Sequence, residues 1–198
     1  MNDSKFDILI SGVGGQGTVL ASRLIAAAAI RQGVFARTSE TIGMSQRGGC
    51  VVSHVRLNSE NSSAIIPFGN ANMLIAFELS EAARSLPRLR KDGCCIVNTQ
   101  TIRPVSASLG TSQYDSDQIR EFIKNNSFEV HFIDGYRIAE KAGNVKTVNV
   151  VLLGAAAAVG RIPFGREVIL EAIVENVPQR FRDLNKTAFE LGYASIAE

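Results

Sequence analysis

The residues of this chain best placed to do chemistry are glycines. A short apolar run, Phe6-Asp7-Ile8-Leu9-Ile10, leads at once into Gly12-Val13-Gly14-Gly15-Gln16-Gly17. A strand that ends in G-x-G-x-x-G and turns into a helix is a phosphate-binding design. The first glycine permits the tight turn, the second lets backbone N–H groups approach an anion, and the third lets the helix pack closely with its positive end toward the ligand. Gly12, Gly14, Gly15, Gln16 and Gly17 are therefore candidate binding residues. The same segment also reads as a tight strand–helix junction with no ligand. A second glycine-rich segment follows, Thr41-Ile42-Gly43-Met44-Ser45-Gln46-Arg47-Gly48-Gly49. Gln46 and Arg47 ahead of Gly48 and Gly49 set a guanidinium beside exposed backbone N–H groups, a combination that suits a carboxylate or a phosphate. It reads equally as a structural loop whose arginine pairs with an acid of this chain or of a partner.

A nicotinamide dinucleotide asks for more. NAD is gripped by an acidic residue about 20 positions beyond the first loop. Here the second strand runs into Arg37-Thr38-Ser39, and Glu40 comes later. The arginine argues against NAD and is compatible with a phosphorylated ribose, so an NADP-dependent dehydrogenase stays open, and Ser39 joins the candidates. Other reactive residue types are sparse. His54 lies within a β-type run and reads as a hydrogen-bonded structural residue rather than a general base. Cys94 and Cys95 are strand neighbours that point to opposite faces, which reads as packing. Three cysteines, with no C-x-x-C, form no disulfide framework and fall short of the four thiolates of a cysteine-ligated cubane cluster. His54 and His131 lack metal-ligand spacing, so a metal-free chain is expected.

The elements that must position these loops alternate. Phe6–Ile10 predicts a strand, Gln16–Arg31 an Ala-rich helix stopped by Gly33, and Val34–Arg37 a short strand. Cys50–Leu57 predicts a strand with Val51, Ser53, Val55 and Leu57 on one face and His54 and Arg56 on the other. After the polar turn Ser59–Ser63 it is expected to form a hairpin with Ala64–Ile66. Met73–Phe77 predicts a buried strand. Ser80 is expected to cap a helix reaching toward Lys91, kinked or broken at Pro87 and stopped by Gly93. Cys94–Asn98 and Phe128–Ile133 predict further strands, with Thr99–Ser112 irregular. Helices are predicted over Asp115–Asn125, Tyr136–Ala142, Thr147–Val159, Gly165–Asn176 and Asp183–Leu191. The small residues from Gly154 to Gly160 read as close packing, or more sharply as a subunit interface. Strands separated by helices imply an α/β fold, a three-layer Rossmann-like, mainly parallel sheet with an antiparallel hairpin and a helical C-terminal part.

The composition fits one soluble domain over residues 1–198: 45% hydrophobic, 20% charged, with a net charge of +2. That balance gives no footprint for nucleic acid. No apolar stretch approaches the ~20 residues that span a bilayer, and the N-terminal residues lack the apolar core of a signal peptide, so a cytoplasmic location is expected.

Taken together, Gly12–Gly17, Glu40–Gly49, Ser53-His54-Val55-Arg56 and Asn149-Val150-Val151-Leu152-Leu153-Gly154-Ala155 resemble the gamma-type domain of 2-oxoacid:ferredoxin oxidoreductases over essentially the whole chain. The Thr-Ile-Gly-Met-Ser-Gln-Arg-Gly-Gly form resembles the beta subunits of the indolepyruvate branch. The resemblance implies coenzyme A-dependent oxidative decarboxylation of aryl 2-oxoacids with reduction of ferredoxin. It places thiamine diphosphate, Mg and 4Fe-4S clusters in a larger alpha subunit. It also implies that this chain is inactive alone and has no catalytic residue or metal of its own. Gamma subunits of pyruvate, branched-chain or 2-oxoglutarate enzymes are the alternative within the family, and a nucleotide-binding regulator is one outside it. Coenzyme A, with a diphosphate and a ribose phosphate, is the ligand expected at Gly12–Gly17, with Arg47 and either Arg37 or Ser39 nearby.

Overall fold

A computed structural model describes residues 5–43, 49–102, 114–127 and 129–197. Its centre is β1 (Phe6–Val13), where Ile8, Leu9 and Ile10 are all fully buried. The run is continuously apolar because both faces of the strand are covered. Ile8 and Ile10 enter one core, and Leu9 enters the other. Around it stand β2 (Ala36–Ile42), β3 (Cys50–Leu57), β4 (Ala71–Ala76), β5 (Leu89–Asn98) and β6 (Glu129–Ile133). They form a six-stranded sheet in the order β2-β3-β1-β4-β5-β6. β1, β4, β5 and β6 are parallel neighbours, whereas β3 runs antiparallel to both β1 and β2.

On one face lie α1 (Thr18–Arg31), α4 (Gly135–Ala142), α5 (Val148–Ala158), α6 (Arg166–Asn176) and α7 (Arg182–Ala197). α1 turns Ala21, Leu24, Ile25, Ala28 and Ala29 to the core, the spacing of one helical face. On the other face, α2 (Leu79–Ser85) and α3 (Ser116–Asn126) cover the smaller core through Leu79, Ala82 and Ile123. This is the expected three-layer α/β arrangement. The small residues of α5 serve close helix packing. A Cβ on Gly154 would lie 2.1 Å from the Phe189 carbonyl oxygen, and one on Gly192 would lie 2.0 Å from that of Val151.

Several local expectations are corrected. Ala64–Ile66 is no strand, and the antiparallel partners of β3 are β1 and β2. The 63–66 segment is held to β3 by side chains instead: the Ile66 N–H donates to His54 Nδ1, and Arg56 donates to the Ser63 and Ile65 carbonyls. β2 correspondingly runs on to Ile42. The helix expected to reach Lys91 stops at Ser85, because Pro87 turns the chain into a 3-10 segment, Leu86–Arg88, that feeds β5. Its N-cap is Glu78, whose side chain accepts from the Glu81 N–H, rather than Ser80. Gly93 lies within β5, where the pairing with β4 shifts register. Most of the stretch expected to be irregular, residues 103–113, lies outside the described residues, as does Phe128.

Candidate functional site

β1 delivers Gly12–Gly17 to the edge of the sheet where the parallel strands end, the edge at which ligands bind in open α/β sheets. The loop is braced from within. The Val13 N–H donates to Gln16 Oε1 at 2.7 Å, and the Gln16 N–H donates to the Val13 carbonyl at 3.1 Å. Gln16 Nε2 donates to the Phe77 carbonyl at 3.2 Å, tying the loop to the end of β4. Gly12 serves that brace: a Cβ there would lie 2.8 Å from Gln16 Oε1 and 2.9 Å from Phe77 Cβ. Gly15 and Gly17 carry the left-handed turn, with φ of 103° and 91°, a conformation that favours glycine.

The two glycine-rich segments meet. The Gly14 N–H donates to the Gly49 carbonyl at 2.8 Å, and Gly43 N–H to the Cys50 carbonyl at 3.0 Å. Gly49 is thus at the loop, while Gln46, Arg47 and Gly48 lie outside the described residues. Ser39 is not brought to it. Ser39 pairs with His54, which pairs with Leu9, so it stands five residues back along the sheet from Gly14, about 16 Å at ~3.3 Å per residue. Arg37 is farther still, level with Asp7, and spends its guanidinium on the Ser62 and Glu60 carbonyls. Because β3 fills the place beside β1, the end of β2 is one strand removed from the loop. Among the described residues, no ribose-gripping position of the dinucleotide kind is formed there.

What the loop leaves open is the start of α1. Gly17 is its N-cap, and no side-chain hydrogen bond caps it, so first-turn N–H groups and the positive end of the helix dipole face outward. Against them opens a cavity of about 390 Å³ lined by Gly15, Gln16, Gly17, Tyr136, Lys146 and Asn149. Leu20, Lys146 and Asn149 also border a second cavity of about 230 Å³, otherwise lined largely by Val177, Pro178, Phe181 and Leu184. Lys146 and Asn149 were missed as site residues in the sequence. The available signal was a polar residue opening the otherwise apolar helix Val148–Ala158.

On the other face of the same edge, Glu78 accepts from the Ile102 N–H and the Tyr114 hydroxyl. Glu81 is 3% exposed, pairs with Arg84, and leaves Oε2 without a hydrogen bond. Burial, and then Glu81, push the Cys50 thiol up to about 12. Burial likewise raises Cys94 to about 11 and Cys95 to about 12. All three therefore stay protonated near neutrality and supply no thiolate nucleophile. His54 is 1% exposed and accepts the Ile66 N–H. Burial lowers it to about 4, so it is a neutral structural acceptor, as expected. Among the described residues, no group of three His, Cys, Asp or Glu side chains is arranged to hold a metal ion, and no helix is long and apolar enough to cross a membrane.

Comparison with known proteins places this geometry. Residues 7–195 match the family described as pyruvate ferredoxin/flavodoxin oxidoreductase. Indolepyruvate oxidoreductase subunit IorB of Thermococcus kodakarensis is 38% identical over 197 residues, covering 98% of this chain and 97% of that protein. The gamma subunit of a keto/oxoacid ferredoxin oxidoreductase from Geobacter sulfurreducens superposes with a TM-score of 0.70 at 25% identity, over 96% of this chain and 98% of that one. The 2-oxoglutarate:ferredoxin oxidoreductase of Magnetococcus marinus, solved with 2-oxoglutarate, coenzyme A and succinyl-CoA bound, shares the fold. Its TM-score is 0.71 at 20% identity, over 97% of this chain and 31% of that one.

Proposed function

The chain belongs to the pyruvate ferredoxin/flavodoxin oxidoreductase family, and on that basis we propose that it is the smaller subunit of an indolepyruvate:ferredoxin oxidoreductase. The observation that carries the reading is the end-to-end match to an IorB subunit at 38% identity. The reaction is oxidative decarboxylation of an aryl 2-oxoacid, with the acyl group passing to coenzyme A and the electrons to ferredoxin. Residues 1–198 act as one gamma-type domain, in the cytoplasm, where free Cys50, Cys94 and Cys95 suit a reducing compartment.

The residues of this chain do not fit the redox cofactors. Three cysteines, all held protonated, cannot supply the four thiolates of a cubane cluster. Neither is there a Gly-Asp-Gly segment followed by paired asparagines to hold thiamine diphosphate and Mg. Those groups belong to a larger alpha subunit, and ferredoxin is met through it. Coenzyme A does fit. Its phosphates would meet the uncapped start of α1 at Gly15 and Gly17. Gly12, Gly14 and Gln16 shape that turn, and the Gly49 carbonyl accepts from it at Gly14; Gln46, Arg47 and Gly48, outside the described residues, stay in the assignment on their sequence alone. Ser39 and Arg37 fall outside the assignment because the sheet holds them away from the loop.

Co-expression with the larger subunit tests the reading. The complex is expected to reduce a viologen dye when indolepyruvate and coenzyme A are both supplied, and neither subunit alone is expected to do so. Nicotinamide-dependent dehydrogenase activity in the isolated chain would overturn it.

A further inference from the structure

One buried amide ties the binding edge of the sheet together. Asn98, the last residue of β5, is fully buried. Its Oδ1 accepts from the N–H of Gly135, which opens α4, at 2.9 Å. Its Nδ2 donates to the Phe77 carbonyl, just beyond β4, at 3.0 Å. Gln16 Nε2 donates to that same carbonyl at 3.2 Å, so both of its lone pairs are taken. Phe77 is itself fully buried, and its N–H donates to the Ser11 carbonyl of β1 at 2.8 Å. Beside Gly135, the Tyr136 hydroxyl comes back to 3.5 Å from Gln16 Nε2. The ring is closed: the glycine loop, the ends of β4 and β5 and the start of α4 hold one another. Neither amide is free to turn over. Gln16 Oε1 is occupied by the Val13 N–H and Asn98 Oδ1 by the Gly135 N–H, so each has only its NH2 group to give the carbonyl between them. The fit is close as well, since a Cβ on Gly135 would lie 3.0 Å from Asn98 Oδ1.

We infer that Asn98 is a positioning residue for the glycine loop: by fixing the Phe77 carbonyl against the start of α4 it sets the point from which Gln16 holds the loop, and through the loop it sets the affinity for coenzyme A. Asn98 is buried away from any ligand and acts only through Phe77 and Gln16. Of the two amides on that carbonyl, Gln16 travels with the loop and is only half-buried, whereas Asn98 belongs to the sheet. The sheet is therefore the fixed side, and the loop takes its place from it. The role in affinity rests on the coenzyme A reading for the ligand's identity. The hold on the loop does not.

Hydrogen–deuterium exchange and steady-state kinetics of the co-expressed complex test it. In Asn98→Asp the carboxylate still accepts from Gly135 but turns an oxygen on the Phe77 carbonyl where a donor stood. Residues 12–17 are expected to exchange about tenfold faster, with α6 within about twofold of wild type. The KM for coenzyme A is expected to rise about fivefold or more while kcat and the KM for indolepyruvate stay within about twofold, a split that a general loss of stability does not give. Gln16→Ala acts on the same carbonyl, so the double variant is expected to exceed the worse single one by less than about twofold, and effects that multiply would overturn the shared route. If Asn98→Asp does not assemble with the larger subunit, Asn98→Ser, too short for either partner and without charge, takes its place. The inference is overturned if the loop exchanges within about twofold of wild type, if α6 loosens as much as the loop, or if the loop loosens with the KM for coenzyme A unchanged. Viologen reduction separates the two readings. Indolepyruvate-dependent activity with an unchanged loop in the variants sinks this role and keeps the proposed function. A loosened loop in the variants of a complex that never oxidises a 2-oxoacid keeps the hold on the loop and sinks the function.

Discussion

Gln16→Ala asks whether the glycine loop is held up by its own side chain. Three hydrogen bonds go, and they are not equal; the one to the Tyr136 hydroxyl, at 3.5 Å, counts least. The Phe77 carbonyl loses Gln16 Nε2 but keeps Asn98 Nδ2 at 3.0 Å, so that loss costs about 0.5–1 kcal/mol. The Val13 N–H loses its acceptor at 2.7 Å on a residue only 9% exposed, and a buried donor left unpaired costs about 1–3 kcal/mol. The sum is about 1.5–4 kcal/mol. For a chain of this size each kcal/mol moves the melting midpoint by about 2–4 °C, so the variant is expected to melt about 3–16 °C lower. A second change sharpens the test. A Cβ on Gly12 would stand 2.8 Å from Gln16 Oε1, so Gly12→Ala is destabilising by itself. In the double variant that contact is gone while those with Phe77 Cβ and Thr18 Cγ2, at 2.9 Å, remain, and the combined loss is expected to fall short of the sum by about 0.5 kcal/mol or more. Thermal melts of the three variants read both quantities. If Gln16→Ala melts within about 1 °C of wild type, or the two changes simply add, the side chain is not the brace.

Arg56 grips Asp7 with two hydrogen bonds, at 2.9 and 2.8 Å, between side chains 8% and 7% exposed. Arg56→Met or Asp7→Leu alone leaves a buried charge and is expected to cost about 3–5 kcal/mol in urea unfolding, while the pair of changes recovers most of it; equal losses in single and double variants would refute this. Gly154→Ala and Gly192→Ala each drive a Cβ to within 2.1 and 2.0 Å of a facing carbonyl oxygen, so the clash, about 1–3 kcal/mol or more, outweighs the ~1 kcal/mol of helix propensity gained. A stabilised variant would show that α5 and α7 do not approach so closely. His54, lowered from 6.5 to about 4 by burial, binds protons more readily unfolded than folded between those values. Its contribution is therefore intact above pH 6.5 and lost as pH falls toward about 4, by about 3 kcal/mol in total. In His54→Gln that part of the acid slope is expected to vanish, and an unchanged slope would assign it to other groups.

Several elements were legible because local chemistry decides them. The centre of β1, Ile8-Leu9-Ile10, shows as an unbroken apolar run because both its faces are buried, and α1 shows because its apolar residues recur on one face. Asp115, just outside α3, caps it through the N–H groups of Asp117 and Gln118, as its residue type and place imply. The hairpin expected at 64–66 failed for a long-range reason. β3 satisfies its ladder on both sides with strands earlier in the chain, β1 and β2. Nothing within the Cys50–Leu57 run distinguishes those partners from a nearer one. Pro87 was visible as a breaker, but how soon the chain would turn into β5 depended on pairing with β4.

The site was half legible, and the missing half has one cause. G-x-G-x-x-G names a turn and a helix start, and both stand where the motif puts them. It does not name what the helix start faces, because that depends on which strand lies beside β1 and which helix lies beside α1. In a dinucleotide site a parallel second strand beside β1 brings a side chain to the ribose. Here antiparallel β3 takes that place, so Ser39 and Arg37 are carried to the far side of the sheet edge. The open side of the loop is left to α5, more than a hundred residues later, with Asn149 set against Gly17. What faces the helix start is therefore set by the topology, which puts Asn149 against Gly17, and not by the glycine motif.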